Sequence, residues 1–282
     1  MDWSRIGRLW SFPGRNLSAR TRWEYIGRSR TDAFQMMDGS ACEEDLRHRG
    51  GRMALAFSTA LDIRPSDTVL DVGCGVARVG RELASLCGAY TGADISRTLL
   101  RRARERTGHL GNVSFVHLGG MDLAELPAAH FSRLVCHLVF LHLDEPEIRA
   151  LLRDFRRVLA PGGVAYFDAW NLRNNDVWDL FRRESLDPRV RRQPHRSRFY
   201  TSEAVEDWLD ASGLRTIWMS DDSFLVQAVV GRDDGERSAH DRVGRRLQQE
   251  AGRIMPRGKL DFPEPEGPGP AKRTPTHDSG TA

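Results

Sequence analysis

Short, continuous apolar runs alternate with segments of helical periodicity through the middle of the chain. Residues 69–72, 90–94, 113–117, 134–139 and 164–169 read as strands, each brief and bounded by glycine, proline or polar residues. Residues 46–63 precede them. Their apolar positions (Met53, Leu55, Ala56, Phe57, Ala60 and Leu61) predict a helix that ends before Pro65, because proline disfavours helical geometry in the residue ahead of it. Further helices are predicted over 77–86, over 96–107 with Ser96 as cap, and over 147–159, the last stopped by Pro161-Gly162-Gly163. Apolar strands without polar alternation, separated by helices, imply a parallel sheet covered on both faces.

The pattern changes after Trp170. Residues 171–198 read as a polar, arginine-rich connection with one short helix over 176–183. A helix over 202–212 follows, and then strands over 214–220 and 224–230, close enough to pair as an antiparallel hairpin. The expected fold is therefore α/β: a doubly wound, mostly parallel seven-stranded sheet with a C-terminal antiparallel hairpin. Residues 1–45, rich in arginine and aromatics, are expected to form a helical lid segment, 46–231 the main domain, and 232–282 a polar, largely disordered tail. From Pro256 the tail is rich in Pro, Gly, Asp, Glu and Thr, and disorder is expected there because little apolar surface is available to offset chain entropy.

Composition narrows the class without naming a reaction. The 282 residues are 40% hydrophobic and 29% charged, ordinary for a globular protein. A formal net charge of +3 does not by itself imply nucleic acid. Cys42, Cys74, Cys87 and Cys136 form no CxxC pair, so zinc spacing is absent and no metal is expected. No secretory leader is visible in the first residues, and no segment approaches the roughly 20 apolar residues of a membrane span. A cytoplasmic protein with reduced thiols is expected.

The sharpest motif is Asp71-Val72-Gly73-Cys74-Gly75-Val76-Ala77-Arg78, where a strand runs into a glycine-rich turn. Such a turn lets a ligand approach the main chain. The dinucleotide fingerprint would need a third glycine at position 78, where Arg78 stands, and no G-K-[ST] follows for a P-loop. Asp71 would repel a pyrophosphate and attract a cation. Asp94 follows about 20 residues after the loop, where an acid can accept hydrogen bonds from a ribose diol. Gly73, Asp94, Asp122 and His137 all fall at or just past expected strand ends, where ligands of such sheets bind.

These residues resemble the class I S-adenosylmethionine-dependent methyltransferases. Asp71, Gly73 and Gly75 match the first motif of that family, with Ala77 in place of its usual third glycine. Asp94 matches the acid that holds the ribose, and Met121 and Asp122 match the pair bordering the adenine. The stretch 131–135 resembles the fourth-strand motif with Ser132 in place of its common Asp, and 159–163 resembles the turn before the fifth strand. The resemblance covers roughly residues 64–230 and implies S-adenosyl-L-methionine as cofactor. The cofactor-binding residues expected are Asp71, Gly73, Cys74, Gly75, Arg78, Asp94, Ile95, Met121, Asp122 and His137.

The stretch 136–144 follows the fourth strand, and in related methyltransferases it faces the sulfonium and the acceptor. His137 and His142 lie in it and are the candidate catalytic bases, His142 foremost because Leu141 and Leu143 give it an apolar setting. In-line displacement from a sulfonium also proceeds by positioning alone. The expected partner is a small-molecule acceptor methylated on a hydroxyl oxygen. Seven arginines between Arg182 and Arg198 stand against Glu184 and Asp187, and read either as a solvated loop or as a funnel for an anionic acceptor. Methylation of RNA or protein, and a non-catalytic S-adenosylmethionine-binding module, remain the other readings.

Overall fold

In the computed structural model, described here for residues 18–191, 196–232, 234 and 237–254, the expected elements lie in one mixed sheet with helices on both faces. The chain opens with α1 (Ala19–Ile26), α2 (Arg30–Asp38) and α3 (Glu43–Leu61). The core follows as β1 (Thr68–Val72), α4 (Gly80–Leu83), β2 (Ala89–Asp94), α5 (Arg97–Thr107), β3 (Val113–His117), β4 (Phe131–Cys136), α6 (Glu145–Val158) and β5 (Leu159–Asn171). Then come α7 (Asn175–Leu186), α8 (Pro188–Arg191), β6 (Phe199–Tyr200), α9 (Ser202–Ser212), β7 (Leu214–Ser220), β8 (Leu225–Arg232) and α10 (Arg237–Ile254). The strand order is β3-β2-β1-β4-β5-β8-β7, with short β6 beside the end of β5. β1 to β5 pair in parallel, while β8 runs antiparallel to both β5 and β7.

The side-chain period of two sorts each strand between two cores. Leu70, Val72, Leu134, Cys136, Ala165 and Phe167 meet Ile148, Leu151, Leu152 and Phe155 of α6 and Trp208 of α9. Their neighbours Val69, Val135, Val164 and Tyr166 meet Phe57 and Leu61 of α3 and Leu83 of α4. Asp71 and Asp168 share this second parity, which sets both acids on the α3 side of the sheet.

Several boundaries differ from expectation, each for a local reason. The helix after the glycine loop shrinks from 77–86 to Gly80–Leu83, because Ala77 adopts a left-handed φ of 52° and delays helical geometry. β4 ends at Cys136, since Leu138 turns with φ 59°. The Pro161-Gly162-Gly163 stretch lies inside β5, where the pairing with β4 shifts register. α6 begins at Glu145, ahead of the expected 147, because Asp144 and Glu147 form a capping box.

The expected polar tail from residue 232 needs correction. Residues 237–254 form α10, whose Val243 and Leu247 are buried in the second core, and its Arg246 meets Asp62 at 3.2 Å. The boundary placed at 46 also falls inside α3. The tail from Pro256 onward lies outside the described residues. Among those described, no helix is long and apolar enough to cross a membrane.

Candidate active site

β1 delivers Asp71 and then the loop Gly73–Gly75 to the carboxyl edge of the sheet, beside the switch between β1 and β4. Gly73 has φ 73° and Gly75 has φ 54°. A Cβ on Gly73 would run into Val139 and one on Gly75 into the Met37 sulfur, and both positions have the left-handed φ that favours glycine. The Gly73 and Cys74 amides donate to the Ala93 carbonyl at 2.8 and 3.1 Å. Asp94 then ties the loop down, accepting from the Gly75 amide at 2.9 Å and the Ser96 amide at 2.8 Å. Burial pushes the Asp94 carboxyl up to about 6 despite those two donors. Asp71 is likewise pushed up to about 6 by burial, against the Tyr90 hydroxyl that donates to it at 2.7 Å.

A cavity of about 350 Å³ opens over these strand ends. Asp71, Gly73, Cys74, Gly75, Arg78, Asp94, Ile95, Met121, Asp122, His137 and His142 all line it. The residues singled out in the sequence thus come together in one place. Arg78 is buried, and its guanidinium lies 3.4 Å from Asp38 of α2. Cys74 is a buried thiol, pushed well above its usual range by burial and by Asp94 and Asp71, and so is no nucleophile. Of the described aromatics, Trp23 of α1 and Trp170 of β5 reach the cavity wall.

S-adenosylmethionine fits the end over β1, β2 and β3. The glycine cradle admits a ligand against the main chain, Asp94 retains lone pairs for ribose hydroxyls, and Arg78 offers a cation to a carboxylate. Asp71 and Asp94 suit a ligand bearing positive charge, and Ile95, Leu118 and Met121 offer an apolar wall to a base. Among the described residues no cluster of side chains could hold a metal ion.

The two histidines part company. His142 is half-buried, its ring edge-on to Trp23 at 5.2 Å. Burial first, and then the charges of Arg22 and Arg198, push it down to about 3. An imidazole that weak as a base is poorly suited to take a proton from a hydroxyl near neutrality. His137 stands directly after β4, and its Nδ1 lies 2.5 Å from Asp168 Oδ2. Asp168 is fully buried on β5 and also accepts from the Leu138 amide at 2.8 Å and the Tyr166 hydroxyl at 2.9 Å. The carboxylate therefore fixes the imidazole through Nδ1.

Asp168 was missed in the sequence. Its signal was an acid inside the apolar run Val164-Ala165-Tyr166-Phe167-Asp168-Ala169, where a carboxylate must find several donors to be tolerated. The described arginines of the connection also behave differently from a funnel. Arg183 donates to the Asp179 carbonyl, Arg198 pairs with Asp144, and neither these nor Arg182 and Arg196 line the cavity. Glu184 does line it.

Comparison with known proteins finds methyltransferases. A methyltransferase-domain family model matches residues 69–163. The chain is similar to methyltransferase GfsG of Streptomyces halstedii, 35% identical over 43% of this chain and 44% of that one. It is also similar to the demethylmenaquinone methyltransferase of Tropheryma whipplei, 31% identical over 55% of this chain and 65% of that one. The matched part is thus under two thirds of either relative. The fold is shared with the magnesium protoporphyrin IX methyltransferase of Synechocystis, crystallised with S-adenosylhomocysteine, at a TM-score of 0.56 and 19% identity over 76% of this chain and 98% of that one.

Proposed function

We propose that this chain is a class I S-adenosylmethionine-dependent methyltransferase and that it methylates a hydroxyl oxygen of a small molecule with His137 as general base. The observation that carries this reading is the His137–Asp168 pair in the cavity wall beside the glycine loop. Bound S-adenosylmethionine supplies an electrophilic methyl group on a sulfonium. Asp94 binds the ribose hydroxyls, and the Gly73–Gly75 backbone takes the close approach of the ligand. Asp71 adds negative charge where a cation is to be held.

His137 then receives the hydroxyl proton on Nε2 as the oxygen becomes a nucleophile. Asp168 stabilises the imidazolium that forms, the usual task of a buried carboxylate behind a catalytic histidine. Relatives include a sterol 24-C-methyltransferase of Gibberella zeae, so transfer to carbon is the outcome to distinguish. Incubation with carbon-13-methyl S-adenosylmethionine and a panel of phenols and alcohols reads the atom methylated directly. A methyl ether supports the reading. A methyl on carbon or nitrogen contradicts it.

A further inference from the structure

The lining of the cavity divides along the sheet order. Over β3, β2 and β1 it carries Asp71, Arg78, Asp94 and Asp122, the half suited to the cofactor. Over β4 and β5 it is made by Leu141, Trp170, Leu180, Val190 and Trp23. Beyond His137, the titratable side chains that the described residues contribute to this second half are His142 and Glu184.

Resting on the methyl-transfer reading, we propose that this second half is an acceptor subsite in which the Glu184 carboxyl hydrogen-bonds a hydroxyl of an uncharged, largely apolar molecule, separate from the hydroxyl that meets His137.

The placement of charge is the first argument. α7 turns Glu184 into the cavity, while Arg182, on the outer face, pairs with Asp179 and is mostly exposed. The connection thus presents its acid inward and its described arginines elsewhere. That is the reverse of what a carboxylate or phosphate on the acceptor would need, since the anion would meet Glu184 across an apolar wall. Arg22 lies near enough to act on both Glu184 and His142, but it is not part of the lining.

Hydrogen-bonding capacity is the second. Ser197 Oγ donates to Glu184 at 3.3 Å. A carboxyl has about four lone-pair sites, so capacity remains for a ligand. A half-buried carboxyl facing an apolar wall is costly unless it is paired or used. Burial pushes Glu184 up to about 7, against the Ser197 bonds and the Arg22 charge, so near neutrality it is a mixture of acid and carboxylate. Such a group can both donate to and accept from a hydroxyl, which suits a neutral polar group better than an ion. Perturbed carboxyls of this kind concentrate in functional clefts.

Three probes on one frame test the subsite: 2,7-dihydroxynaphthalene, 2-naphthol and 7-hydroxy-2-naphthoate. Each is titrated calorimetrically into the protein, with and without saturating S-adenosylhomocysteine. The diol is expected to bind about tenfold more tightly than 2-naphthol, the scale of a hydrogen bond to a charged group, and the naphthoate most weakly. Glu184→Leu should erase the advantage of the diol, and Glu184→Gln should retain part of it. Each variant should bind S-adenosylhomocysteine as the parent does, which shows that it is folded. Tightest binding of the naphthoate, a diol advantage that survives in Glu184→Leu, or no binding of any probe overturns the subsite. Loss of S-adenosylhomocysteine binding by the parent overturns methyl transfer instead, and the arm without it still reads Glu184.

Discussion

His137 and His142 show how strongly surroundings decide what a residue type can do. The same imidazole is set against a buried carboxylate in one case and beside two arginines in the other. His142 therefore bears on stability. The unfolded chain binds a proton near the ordinary value of about 6.5, and the folded chain only near 3. Stability from keeping His142 neutral is present above the unfolded value and lost as pH falls towards 3. His142→Phe should accordingly lose less melting temperature than the parent between pH 6.5 and 4, and equal acid sensitivity would show that the ring is solvated.

Asp94 works in the opposite sense. Its folded value is raised to about 6, so protonation favours the empty fold, whereas ribose hydroxyls need the carboxylate. S-adenosylhomocysteine affinity should weaken as pH falls from 7 through 6 to 5, and Asp94→Asn should flatten that profile. Asp168→Asn removes the charge behind His137 while keeping its size. Turnover should fall by about 10²–10⁴-fold, the worth of general-base help, with cofactor affinity nearly unchanged. Near-normal turnover would mean that positioning alone drives transfer.

At the scale of elements, the strands were legible because burial on both faces writes them as continuous apolar runs. β3, α9 and β7 fall where their patterns place them. α10 was not legible. Its sequence is dominated by Arg, Gln and Glu, and it anchors through Val243 and Leu247 alone among the described side chains of the second core. So sparse an apolar stripe cannot be told from a solvated polar stretch until the sheet that receives it is known. Leu247→Ala should cost about 2–5 kcal/mol, the range for truncating a core leucine, and thermal unfolding should show a drop of several degrees. An unchanged melting temperature would mean that α10 adds nothing to the core. The end of β4 was misplaced for a different reason. Leu138 takes a left-handed φ that costs roughly 1–2 kcal/mol for a side chain of its kind, and the Asp168 bond to its amide helps to hold it there. Such a strain is invisible in a hydrophobic pattern.

Over the whole molecule, one edge of the sheet gathers what the chain disperses. The glycine loop and its acids could be read because local spacing carries them. Asp168 and Glu184 could not, because their meaning depends on which strands become neighbours and which face of α7 turns inward. The N-terminal helices were also only half legible. Glu24 of α1 accepts from the Arg97 and Thr98 amides at the start of α5, and Met37 of α2 lies over Gly75. Their cover over the cofactor end arises from tertiary contacts. Methyl transfer depends first on cofactor binding at that end. Calorimetric titration of S-adenosylhomocysteine into the parent and into folded Asp94→Ala should show one saturable site in the parent and a loss of at least about tenfold in the variant, with no heat from NAD. Saturable NAD binding with no response to S-adenosylhomocysteine would contradict it.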